Sequence, residues 1–116
     1  MAAKINLKIN QGETYRHTLY WKNDQDQAVD LTNFIARMHV RSKVDSPDVL
    51  LELTTENSGI VISNPVNGEF KLYIPATLTA AITWTAGVYD LEMVAPNNDV
   101  TRLIEGKVAV TKEVTR

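Results

Sequence analysis

Hydrophobic and polar residues alternate with a period of two along most of this chain, the spacing of half-buried β-strands. The longest alternation lies in the stretch from Gly87 to Arg116. Tyr89, Leu91 and Met93 share one face while Asp90 and Glu92 take the other, and Pro96, Asn97, Asn98 and Asp99 supply turn chemistry. Beyond that turn Ile104, Val108 and Val110 share a face, with Gly106 in register between them. This pattern predicts an antiparallel hairpin with one buried face. Asp90, Glu92, Arg102 and Lys107 are left for solvent or for a partner.

The same alternation extends upstream. Ile5, Leu7 and Ile9 predict a first strand, ended by Gln11-Gly12. Glu13 to Lys22 predicts a longer one, with Tyr15, His17, Leu19 and Trp21 on one face and Thr14, Arg16, Thr18 and Tyr20 on the other. Asn23 to Gln27 is a polar hairpin tip, and Asp30 or Thr32 is placed to cap a short helical turn before Phe34. Phe34, Ala36, Met38 and Val40 then alternate with Ile35, Arg37, His39 and Arg41, a strand with a cationic outer face. After the loop of residues 42–48, Val49, Leu51 and Leu53 predict another strand, Ile60 to Ile62 a short one, and Phe70, Leu72 and Ile74 a further one that Pro75 ends.

A helix competes only at residues 76–82, where Pro75 suits the first helical position and Leu78 and Ile82 stand four apart. Trp84 is expected to plug one end of the core. About eight strands at close spacing predict an all-β fold, a single antiparallel β-sandwich of immunoglobulin-like or jelly-roll-like type, with at most one short helix near residues 76–82. Residues 1–116 form one domain in this reading.

Composition narrows function chiefly by exclusion. Apolar residues make up 44% and charged residues 22% of the 116, with a net charge of −2, so the chain is an ordinary globular one without a basic footprint for nucleic acid. Cysteine is absent, which removes disulfides, thiolate metal sites and cysteine nucleophiles. No apolar run approaches the roughly 20 residues of a membrane helix, and the N-terminus lacks the apolar core of a secretory signal. The expectation is a chain that folds in cytoplasm, with neither a membrane nor a nucleic acid as partner.

Candidate chemistry is sparse. His17 and His39 fall on different strands without an acidic or histidine partner at ligand spacing, and no metal is assigned. Asp24, Asp26 and Asp30 lack the glycine and glutamate of a calcium loop, since Ala28 and Phe34 stand at those positions. The serines sit in or beside turns, outside any nucleophile elbow, and the five glycines form no phosphate-cradling loop. No catalytic, cofactor or metal residue is therefore proposed. Arg37 and Arg41, with Tyr15, Tyr20 and Trp21, are the residue types enriched in protein interfaces. They form a candidate interface together with Val114, which lies in the terminal run TKEVTR from Thr111 to Arg116. That run is expected to extend an edge strand, open to completion by another subunit, or to form a short tail. An alternative use of Trp21, Tyr15 and Tyr20 is as a stacking platform for sugars.

Three segments carry a resemblance to a known family: QGETYRHTLYWKNDQDQAVDLTNF (Gln11 to Phe34) leading into ARMHVR (Ala36 to Arg41), VLLELTTENSGIVI (Val49 to Ile62), and Leu78 to Arg116 with its W-x-x-G-x-Y-D-L-E and V-T-R-L-x-x-G patterns. In these the chain resembles small β-sandwich structural proteins of tailed bacteriophages and prophages. The opening segment is also similar, more weakly, to the N-terminal domain of siphophage baseplate upper proteins. The resemblance implies a non-enzymatic virion protein, an adaptor, attachment or decoration module of tail, neck or baseplate that anchors a fibre. Its partners would be other phage structural proteins and further copies of itself, with assembly in the host cytoplasm. A carbohydrate-binding or adhesive module is the alternative.

Overall fold

The alternating segments become nine strands in a computed structural model that describes residues 2–115: β1 Ala3–Lys4, β2 Leu7–Asn10, β3 Tyr15–Tyr20, β4 Ile35–Arg41, β5 Leu51–Thr54, β6 Ile60–Asn64, β7 Glu69–Ile74, β8 Ala86–Val94 and β9 Val100–Thr111. They build two facing sheets. The larger runs β1-β9-β8-β4-β5, with β2 also on β9, and the smaller runs β3-β7-β6. Apart from the β1 and β2 pairings, every ladder is antiparallel. With β9, β8, β4 and β5 on one side and β3, β7 and β6 on the other, the sandwich has the Greek-key order of an immunoglobulin-like domain rather than a jelly roll.

Between the sheets lies the aliphatic core that the alternation predicts. Ala36, Met38 and Val40 of β4, Phe70, Leu72 and Ile74 of β7, Tyr89, Leu91 and Met93 of β8, and Ile104, Val108 and Val110 of β9 are all buried. Antibody domains tie their sheets with a disulfide; this chain has no cysteine, and the aliphatic core packs between the sheets.

The first strand departs from the antiparallel expectation. Ala3 pairs with Ile104 and Leu7 with Val108, both in parallel and at one constant offset, so β1 and β2 are a single edge strand interrupted at Ile5 and Asn6. At the interruption the Asn6 side chain accepts the Lys107 N–H at 3.0 Å, and the Ile5 N–H donates to Glu105 O at 2.9 Å. Gly106 makes this crossing possible, because a Cβ there would stand 2.3 Å from the Ile5 carbonyl oxygen. Through the same gap the Tyr89 hydroxyl, opposite Gly106, donates to Ile5 O at 2.5 Å.

Burial, with a smaller contribution from Tyr15, pushes the Tyr89 phenol up to about 12. An unfolded tyrosine ionises near 10. The folded state thus favours the neutral phenol, so this contribution to stability is complete below pH 10 and is lost as pH rises from 10 through 12. Tyr89→Phe should cost about 1 kcal/mol at neutral pH through the lost hydrogen bond. It should also flatten the decline of the urea midpoint between pH 10 and 12. A decline as steep as that of the unaltered chain would exclude Tyr89 as its source.

Other local expectations shift in detail. The run TKEVTR does not form an edge: β9 ends at Thr111, Thr111 pairs with Asn10, and β2 covers the side of β9 that antiparallel pairing alone would have left open. Residues 112–115 follow as a tail, where the Glu113 N–H donates to Gln11 Oε1, and Arg116 lies outside the described residues. The helix α1 is the single turn Ala76–Ala80, with Pro75 just before it at ψ 154° rather than at its first position. Leu78 is exposed and Ile82 buried beyond the helix end, so the two share no helical face. Thr79 anchors the turn by donating its hydroxyl to Glu13 O at 2.9 Å. Asp30 accepts from the Thr32 N–H and hydroxyl and closes a turn, without a helix, before Phe34. Val49 is exposed outside β5, and the Leu50 N–H makes the first bond to Val40 O instead.

Candidate docking face

The outer surface of the larger sheet is built in cross-strand rows. Strand register places Ile35, Val94 and Val100 in one row, and Arg37, Glu92 and Arg102 in the next. Then follow Glu52, His39, Asp90, Glu105 and Lys4, and finally Arg41, Val88 and Lys107. Read along the strands, the face is apolar, then net basic, then net acidic, then basic. Most of the charged rows line a concavity of about 700 Å³, which Asn6 and Val44 also border.

Arg102 reaches this surface through an irregularity. By simple alternation it shares parity with buried Ile104 and would point inward. Leu91 pairs with Ile104 but Glu92 pairs with Arg102, so Leu103 is the extra residue of a β-bulge. The bulge re-aims Arg102 outward, where it lies 3.5 Å from Asp90 and 3.6 Å from Glu105. Arg37 Nε donates to Glu92 at 2.8 Å. Pairs of this exposure contribute about 0–1 kcal/mol each, so their significance is orientation rather than stability.

A second chain of contacts orders the neighbouring strands. Arg41 donates to Ser46 O at 3.0 Å and to His39 Nδ1 at 3.3 Å. Because a guanidinium has only donors, Nδ1 must accept, which leaves Nε2 to carry the proton and donate to Glu52 at 2.9 Å. Arg41 and His39 are thereby held in place on the sheet. Lys4 and Lys107 enter no ion pair among the described residues.

The six candidate residues do not come together. Arg37 and Arg41 lie on the concave face. Tyr20 is 56% exposed on the outer side of the opposite sheet, beside Glu69, whose hydrogen bond and charge push its phenol up. Trp21 turns inward, edge-on to Phe34 at 6.0 Å between centroids. Tyr15 also turns inward, stacked at 6.4 Å on His17, with its hydroxyl buried and without a hydrogen-bond partner among the described residues. Val114 is 91% exposed in the tail. The basic ladder of β4 and the outer residues of the terminal hairpin are thus legible in sequence, but alternation alone does not bring Lys4 and Glu105 beside them. Lys4 arrives from the other end of the chain by parallel pairing, for which the sequence holds no short-range signal.

No protein-family model matches the sequence, and no curated protein matches it. Among solved structures, extracellular domains 3–5 of Drosophila OTK are similar to it at 18% identity and a TM-score of 0.37, covering 90% of this chain. The match spans 32% of that structure, about a third of its length. The immunoglobulin-like arrangement rests on the strand order described above.

Proposed function

We propose that this chain is a non-enzymatic structural module of a phage particle, an adaptor or decoration unit of tail, neck or baseplate, assembled in the host cytoplasm. It docks onto a neighbouring virion protein through the concave outer face of the larger sheet. The phage setting rests on the sequence resemblance. The docking role rests on one observation: bands of opposite charge held in fixed order on paired strands. Such a face gives a partner orientation and register more than raw affinity. The sugar-binding alternative has less support, because Trp21 and Tyr15 face inward and Tyr20 lies on the outside, leaving no shared stacking surface.

The test is recovery of the chain from purified particles together with a double charge reversal, Arg37→Glu with Arg102→Glu. Both arginines are exposed, so folding stability should change by no more than about 1–2 kcal/mol. Incorporation into particles should fall about tenfold or more, the loss expected when like charges meet across an interface. Recovery of the reversed chain at the original level would reject the concave face as the docking surface. Absence of the original chain from particles would reject the phage role.

A further inference from the structure

The sandwich has four strand edges, and three are blunted in ways that oppose pairing with another chain. β5 is only four residues long. β6 carries a register irregularity between Val61 and Asn64 and runs into Pro65. The β1–β2 edge is interrupted at Ile5 and Asn6 and bears Lys4 and Lys8. β3 differs from all of these: six residues in unbroken register with β7, containing no lysine, proline or glycine.

Its outward hydrogen-bonding groups can be assigned. The Trp21 N–H donates to Gly68 O at 2.9 Å, which continues the β3–β7 register. The Tyr73 N–H, opposite Arg16, donates away to Gly59 at 2.9 Å. Bonded and non-bonded pairs alternate in an antiparallel ladder. Tyr15, His17 and Leu19 therefore bond β7, while Arg16, Thr18 and Tyr20 turn their backbone N–H and C=O groups to the open edge. The same three residues have exposed side chains.

We propose that two copies of this chain pair antiparallel along β3, with Thr18 on the two-fold axis, fusing their three-stranded sheets into one. In this register all three outward residues find partners, Thr18 facing Thr18 and Arg16 facing Tyr20 of the second copy. The side chains agree with it. The Arg16 guanidinium already lies 5.5 Å from the centre of the Tyr73 ring, and Tyr20 sits opposite Glu69. Pairing creates the row Tyr73, Arg16, then Tyr20 and Glu69 of the second copy, in which the cation lies between two rings. Symmetry forms this row twice, and the contact closes as a dimer. A two-fold axis perpendicular to the fused sheet keeps both larger sheets on one side. The two concave faces then point the same way and can engage a repeating surface with two sites at once.

Sedimentation of the full chain across a concentration series, with amide hydrogen exchange at both ends of it, tests the pairing. The expected result is a dimer at high concentration in which the Arg16, Thr18 and Tyr20 amides are protected and lose that protection on dilution. Thr18→Lys, which sets two lysines against each other on the axis, should sediment as a monomer with unchanged far-UV circular dichroism. Arg16→Glu should weaken the dimer about tenfold, because it sets an anion in place of the cation between the Tyr73 and Tyr20 rings. A chain monomeric at hundreds of micromolar, or a dimer with exchanging β3 amides, would overturn the proposal. So would a dimer that Thr18→Lys or Arg16→Glu leaves intact. The reversal of Arg37 and Arg102 should leave the dimer unchanged, which separates this contact from docking through the concave face.

Discussion

Gly106→Val should destabilise the domain by about 3 kcal/mol, against the sign that strand propensity alone would give. Valine favours strands over glycine, so a replacement made without clash would be neutral or stabilising. At this position the added Cβ would stand 2.3 Å from Ile5 O, 2.9 Å from Ile5 C and 3.0 Å from Asn6 Oδ1. Two of these atoms are backbone and cannot rotate aside, so the edge strand must move. Its movement breaks the Ile5 to Glu105, Lys107 to Asn6 and Tyr89 to Ile5 hydrogen bonds together, each contributing about 1 kcal/mol. If β2 lifts further, Leu7 and Ile9 leave the core as well. The urea midpoint should fall, with faster amide exchange along β2 and β9 and little change at β3–β7. A midpoint equal to or above that of the unaltered chain would show that the edge strand does not cross Gly106 as described.

Phe70→Ala should cost more, about 3–5 kcal/mol, the range for emptying a buried phenylalanine site. Phe70 is 1% exposed and lies on β7, the central strand of the smaller sheet, where neighbours on both flanks hold the backbone against collapse into the cavity. Domains of this size are stable by only about 5–15 kcal/mol, so the loss is a large share of the total. A drop in melting temperature of roughly 15 °C is expected. Lys71→Ala, one residue along on the solvent face, serves as the control and should stay within about 0.5 kcal/mol. A cost below about 1 kcal/mol for Phe70→Ala would place the side chain outside the packed core.

Much of this fold is legible in the chain because alternation with period two encodes which side of a strand meets the other sheet. That rule places Met38, Phe70, Leu72, Leu91, Met93 and Val108 in the core, and all are buried. Turn residues were similarly informative: Asn98 adopts a positive φ of 73° in the tip that joins β8 to β9, as residues prone to left-handed conformations do. The docking face was legible only in part. Arg37 and Arg41 follow from local alternation, whereas Arg102 points outward as expected but gets there through a bulge against its own parity.

The all-β class, the strand positions, the core and the outward charges of β4 and β8 are thus written locally along the chain. These depend on interactions within a few residues, where periodicity and turn chemistry act. Contacts between distant segments set the rest: the N-terminal strand lies parallel to β9, Tyr89 and Gly106 form its seat, and Trp21 and Tyr15 face inward while Tyr20 faces out. The same contacts put β9 inside its sheet and leave β3 as the open edge. Hydrogen bonding between strands is nearly blind to residue identity. Which strands become neighbours is settled by how distant segments close over one core, and alternation within a strand does not record it.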